Sequence, residues 1–142
     1  MINIQRKTIQ RQIIFDVLRS LEHPTVSQIN DVIQKEHPAI SKSTIYRNLR
    51  QMEDEKLVCR IWLPNDTERY DNNTTPHYHL KCTSCGTIYD IEPDTIEQKT
   101  KNPTNTATIS TISTIVAKAI KKRYNFAVTK KDLVFSGTCG EC

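Results

Sequence analysis

Ser41-Lys42-Ser43-Thr44-Ile45-Tyr46-Arg47-Asn48-Leu49-Arg50 sets the reading of the first half of the chain. Ile45 and Leu49 lie four apart and Met52 continues the stripe, so the segment reads as a helix starting around Ser41 to Ser43. Thr44, Arg47 and Asn48 then fall on or near the opposite face, with Ser43 and Tyr46 towards the N-terminal end. Groups of this kind bind phosphates, base edges and thymine methyls when a helix enters a major groove. The N–H groups at the helix start also suit a phosphate. Exposed Arg and Asn are common on any solvated helix, so the flanking elements have to decide.

Upstream, Ile9, Ile13, Val17 and Leu21 recur every four residues, with Ile14 and Leu18 widening the stripe, which predicts a helix ending before Pro24. Thr25 is the expected N-cap of a second helix whose apolar face is Val26, Ile29, Val32 and Ile33. His37-Pro38 ends it, and His37 reads as a surface residue. Downstream, Leu57 to Leu63 reads as a strand, Pro64-Asn65-Asp66 as a turn and Thr67 to Asp71 as the returning strand. Three helices and a two-stranded ribbon are the layout of a winged helix-turn-helix. Residues 1–71 are therefore expected to bind DNA.

The second half, residues 72–142, changes character. His77 to Lys81 and Thr87 to Ile91 read as strands, Asp94 to Lys101 and Ile109 to Tyr124 as helices, and Phe126 to Val128 and Leu133 to Phe135 as further strands. Thr100 to Thr114 is rich in Thr, Ser and Asn and reads as a loop running into an irregular helix start. The whole chain is expected to be α+β, a winged-helix domain followed by a small α/β domain.

At 142 residues the chain suffices for two small domains. Halves of about 70 residues are marginal without a metal or a partner. The net charge of +4 divides evenly, so bulk charge does not by itself argue for nucleic acid. No apolar run is long enough to span a bilayer and no secretory leader is visible, which points to the cytoplasm. Paired cysteines there bind metal more often than they form disulfides.

Two sets of donors of opposite character fit that expectation. Cys82-Thr83-Ser84-Cys85 and Cys139-Gly140-Glu141-Cys142 each place two sulfurs on one turn, with Gly86 and Gly140 relieving crowding. Together they supply the four ligands of a structural zinc. Cys59 stands alone and reads as a small core residue. His77 and His79 are two apart on a predicted strand, so both imidazoles face one side, with Asp90 on the neighbouring strand. Asp71 lies in the stretch joining the domains and His23 at the end of the first helix. These five nitrogen and oxygen donors suit an exchangeable Fe, Mn or Zn. Ligands drawn from both domains would let the ion fix the angle between them. No nucleophile motif or evident general base accompanies the set, so a switch is expected and not an enzyme.

These motifs resemble the ferric-uptake-regulator (Fur) family. The likeness is carried by Gln10-Arg11, His23-Pro24-Thr25, Ser43 to Leu49, Arg69-Tyr70-Asp71, His77 to Gly86 and Gly137 to Cys142, spanning nearly the whole chain. The resemblance implies a homodimeric, metal-dependent repressor of double-stranded operator DNA, with no membrane partner. Its structural zinc would sit on Cys82, Cys85, Cys139 and Cys142, and its regulatory Fe(II) or Mn(II) on His23, Asp71, His77, His79 and Asp90. Tyr46 and Arg47 match positions that face bases. Iron regulators of the family resemble one another in carrying Glu at the positions of Asp71 and Asp90, whereas peroxide-sensing repressors carry Asp at both, as here. That implies Fe(II)-dependent oxidation of His23 or His77 by hydrogen peroxide. The alternative is a Fur-type iron or Zur-type zinc regulator. The resemblance assigns no role to the Thr/Ser-rich stretch, and no histidine follows His79 to build an auxiliary metal site.

Overall fold

The computed structural model describes residues 2–63, 65–92 and 109–142. They form two compact units, Met1–Thr75 and Pro76–Cys142. The division lies a few residues beyond the 71/72 boundary read from the sequence. The reason is local: Asn73 N–H donates to Asp71 Oδ1 at 2.7 Å and Thr75 N–H to Asn73 Oδ1 at 3.2 Å. These successive Asx turns keep the chain on the first unit.

In the first unit, helices α1 (Ile2–Ser20), α2 (Val26–Glu36) and α3 (Lys42–Asp54) precede a hairpin of β1 (Cys59–Ile61) and β2 (Arg69–Asp71). Thr25 caps α2 in a full capping box, its side chain accepting from Gln28 N–H while Gln28 accepts from Thr25 N–H. Ser41 caps α3 by the first of these bonds alone, its side chain accepting from Thr44 N–H. Ile14, Leu18, Ile29, Ile33, Ile45, Leu49 and Met52 are fully buried and, with Val26, Ile40, Val58 and Tyr70, make one core. The centre of the α1 stripe is thus Ile14 and Leu18. Ile9, expected on it, is 55% exposed, and Ile13, Val17 and Leu21 only flank the core.

The hairpin strands are shorter than the alternation suggests. Lys56 takes φ +60 and Leu57 N–H still donates to Met52 O, so α3 unwinds through the residues expected to begin the strand. An isolated antiparallel bridge joins Thr25 to Arg69, and Tyr70 N–H donates to Pro24 O at 2.9 Å. The turn before α2 is thereby stitched to the wing.

The second unit holds a three-stranded sheet of β3 (Tyr78–Cys82), β4 (Ile88–Ile91) and β5 (Val134–Gly137), in the order β4-β3-β5, with helix α4 (Ile109–Tyr124). β3 pairs antiparallel with β4 and parallel with β5. Phe126 to Val128, expected as a strand, has no regular structure. Asn125 at φ +51 turns the chain out of α4, and pairing begins only at Val134. The helix expected over Asp94 to Lys101, and the stretch 100–108, lie outside the described residues; from Ile109 the Thr/Ser-rich segment is α4. Among the described residues of this unit only Cys82 and Ile88 are buried, while Ile112, Ile115, Val116, Tyr124 and Phe126 are exposed. No described helix is long and apolar enough to cross a membrane.

Candidate metal centres and nucleic-acid interface

Cys82 ends β3, Cys85 closes the turn after it, and the β3–β5 register opposes Cys82 to Gly137, which delivers Cys139 and Cys142 beside them. Sulfur separations are 3.5 Å for Cys82–Cys142, 3.8 Å for Cys85–Cys139 and 3.2 Å for Cys139–Cys142. A tetrahedron of thiolates around zinc spaces its corners by about 3.8 Å, given a Zn–S bond of about 2.3 Å. Cys82 Sγ accepts N–H groups from Cys85 and Cys139, each at 3.4 Å. Those two donors, Cys85 first, pull its thiol down to about 5. Cys142 is pushed up to about 12 by the sulfurs of Cys139, Cys85 and Cys82. Four sulfurs so close cannot all ionise without a cation among them, so the donor set fits zinc. Only Gly86 uses its conformational freedom, at φ +76; Gly140 takes no left-handed φ.

The nitrogen and oxygen donors fall in both units. In the second unit His79 lies opposite Asp90 across β3 and β4. His77 reaches the same side of the strand, its Nε2 being 3.0 Å from His79 Nε2. Asp90 Oδ1 is 3.4 Å from both imidazoles. Two ring nitrogens converging on one carboxylate are suited to share a cation. In the first unit His23 adopts φ +46, and its Nε2 is 3.8 Å from Asp71 Oδ2. The wing stitching sets that pair: Arg69 donates to His23 O at 3.1 Å, which holds the His23 turn beside the end of β2. All five donors predicted from the sequence thus occur in two converging groups, one per unit.

On α3, Ser43, Tyr46 and Arg47 are exposed, as the reading of the helix requires. Thr44 is half-buried, its hydroxyl 2.9 Å from that of Ser41 in the cap. Asn48 is a correction to the expected DNA-facing set. It is 8% exposed and donates Nδ2–H to Thr44 O at 2.8 Å, so the amide is turned back on the helix. Arg50 follows Arg47 at i+3, a spacing that puts it on the same helix face although the sequence reading gives it no role. It joins Ser43, Tyr46 and Arg47 along a groove of about 750 Å³ that also includes Glu53, Arg60, Glu68 and Tyr70.

The description of the ferric uptake regulator family matches residues 3–119. The chain belongs to that family. It is 33% identical over 141 residues to the peroxide-responsive repressor PerR of Staphylococcus epidermidis, covering 96% of this chain and 81% of the relative. The Campylobacter jejuni peroxide stress regulator superposes with a TM-score of 0.65 at 25% identity, over 97% of this chain and 92% of that one. The Helicobacter pylori ferric uptake regulator Fur shares the fold, with a TM-score of 0.63 at 23% identity, over 94% and 79%. As a member of the ferric uptake regulator family, the protein is a metal-dependent repressor and not an enzyme. The α+β class read from the sequence is that of the family.

Proposed function

We propose that the protein is a homodimeric repressor that binds operator DNA when loaded with Fe(II) or Mn(II) and releases it after hydrogen peroxide oxidises a ligand histidine. The observation that carries this reading is the convergence of His77, His79 and Asp90, with Oδ1 of Asp90 at 3.4 Å from both rings. His23 and Asp71, paired at 3.8 Å in the first unit, are taken to complete the same coordination shell. Nitrogen and oxygen ligands leave bound Fe(II) able to donate electrons to peroxide, which Mn(II) and Zn(II) do far less readily.

The histidines then have two tasks. They hold the two units in the arrangement that fits the operator, and they are the oxidisable groups closest to the ion. An imidazole that gains oxygen is a weaker base and a poorer ligand, so the arrangement relaxes. By the family likeness the oxidised residues are His23 and His77. The exposed Ser43, Tyr46 and Arg47 supply the DNA contacts, with Arg47 suited to a bidentate contact with guanine. The apolar side chains left exposed on α4 support a second copy as the partner of the second unit. The four cysteines hold zinc for structure alone.

Treatment of Fe(II)- and Mn(II)-loaded protein with hydrogen peroxide, followed by peptide mass analysis, tests the proposal. A gain of one oxygen on the peptide holding His23 or His77, in the iron form only and with loss of DNA binding, is expected. Unmodified histidines and retained DNA binding in the iron form defeat it in favour of an iron- or zinc-responsive regulator.

A further inference from the structure

The chain has a single tryptophan, and Trp62 lies just past β1 with 61% of its surface exposed. Its direction follows from strand alternation. Ile61 and Leu63 are 4% and 7% exposed and face the core, so Arg60 and Trp62 share the other side. Arg60 is fixed there. Its Nε donates to Glu53 Oε1 of α3 at 3.0 Å and its Nη1 to Glu68 Oε1 at 2.8 Å, while the Tyr70 hydroxyl donates to the same Glu68 oxygen at 3.2 Å. The Arg60 guanidinium lies over the Trp62 ring, 5.6 Å from its centroid. Glu53, Arg60, Glu68 and Tyr70 line the same groove as Ser43, Tyr46, Arg47 and Arg50.

The clamp therefore joins α3 to the hairpin, and the exposed indole lies against Arg60, which lines the groove. Glu53 and Glu68 share the single Arg60, which leaves the clamp one negative charge, and the exposed Arg47 and Arg50 outweigh it on the helix side. A polyanion laid along the exposed face of α3 would run past Arg47 and Arg50 towards the wing. An indole offers it an apolar face for deoxyribose and an N–H for a phosphate oxygen.

We propose that Trp62 is a wing contact to duplex DNA, its ring packing on the sugar–phosphate backbone beside the groove that α3 reads, with Arg60 as the residue that positions it. The proposal rests on the DNA-binding reading above and adds a contact of a different kind. An uncharged ring displaces no counterions, so its contribution to affinity is independent of salt, unlike that of Arg47 or Arg50.

Because the tryptophan is single, the intact protein reports on it directly. Mn(II)-loaded, zinc-containing protein is titrated with a short duplex selected by the protein from random-sequence DNA. Binding is followed by anisotropy of a labelled strand, and Trp62 by intrinsic emission and acrylamide quenching. On saturation the emission is expected to change and quencher access to fall. Trp62→Ala should lose about tenfold in affinity with the salt slope unchanged, and Trp62→Phe should recover part of the loss. An indole equally accessible in the saturated complex overturns the proposal, as does Trp62→Ala binding as tightly as the parent. Protection that follows protein concentration without DNA also overturns it, assigning the ring to a protein contact. No anisotropy change at any DNA concentration removes the DNA-binding reading itself, and the wing contact with it.

Discussion

Arg47 and Arg50 lie about one helical turn apart on exposed positions of α3, and salt dependence separates what each one does. If Arg47 makes a bidentate base contact, Arg47→Ala costs ~1–3 kcal/mol of operator binding and relaxes sequence preference. Arg50, nearer the end of the helix, suits a phosphate. Arg50→Ala should weaken binding evenly across sequences and lower the slope of log affinity against log salt by about one. Competition binding over a series of salt concentrations measures both, and unchanged sequence preference in Arg47→Ala would take that residue off the reading face. Asn48 behaves differently. Its amide bonds to Thr44 O, so Asn48→Ala should lower stability by about 1 kcal/mol in urea unfolding while leaving sequence preference intact. The buried Ile45, Leu49 and Met52 are legible because apolar spacing alone selects their face. Asn48 is not, because an amide satisfied by its own helix and one aimed at DNA have the same periodicity.

The elements divide in the same way. The start of α2 is written locally, since Thr25 and Gln28 have the spacing of a capping box and both of its bonds form. Thr25→Ala should cost about 1 kcal/mol in chemical denaturation, with the helix content of the folded state kept. The span of α4 also follows from its own apolar period. The parallel β3–β5 pairing has no local signal, because its partners are far apart in sequence and no turn sets their register. Phe126 to Val128 has strand composition but pairs with no strand among the described residues, and composition cannot tell the two cases apart.

What fixes β5 in this unit is the sulfur cluster. Thr83 N–H donates to Gly137 O at 2.7 Å, and Cys139 N–H to Cys82 Sγ at 3.4 Å, so the ends of β3 and β5 are joined where the thiolates gather. Structural zinc would then contribute folding free energy to a unit whose described residues bury little apolar surface. Cys139→Ser should raise amide exchange in β3 and β5 and lower the melting temperature, while the amides of α2 and α3 stay protected by the first unit's core. Undiminished protection in β5 of the zinc-free variant would count against the four-sulfur assignment.

For the whole molecule the question is how a small ion governs a large polyanion. The net charge is only +4, so attraction for DNA is modest and orientation has to supply the rest. Each unit carries an incomplete set of donors, His23 with Asp71 in one and His77, His79 and Asp90 in the other. In the proposed switch, an ion taking ligands from both would stabilise one arrangement by its differential affinity, and DNA would sense the ion through that arrangement. Coupling of the usual size predicts that Mn(II) raises DNA affinity about 5–150-fold, and that DNA tightens Mn(II) binding by the same factor. Asp71→Ala and His79→Ala should each abolish the dependence on Mn(II) while keeping one zinc per chain, because their side chains lie outside the thiolate cluster. The two variants need not agree, and that makes the pair informative. Loss of Mn(II) response in His79→Ala with a full response in Asp71→Ala would assign the ion to the second unit alone. A switch that works by joining the units could not then stand.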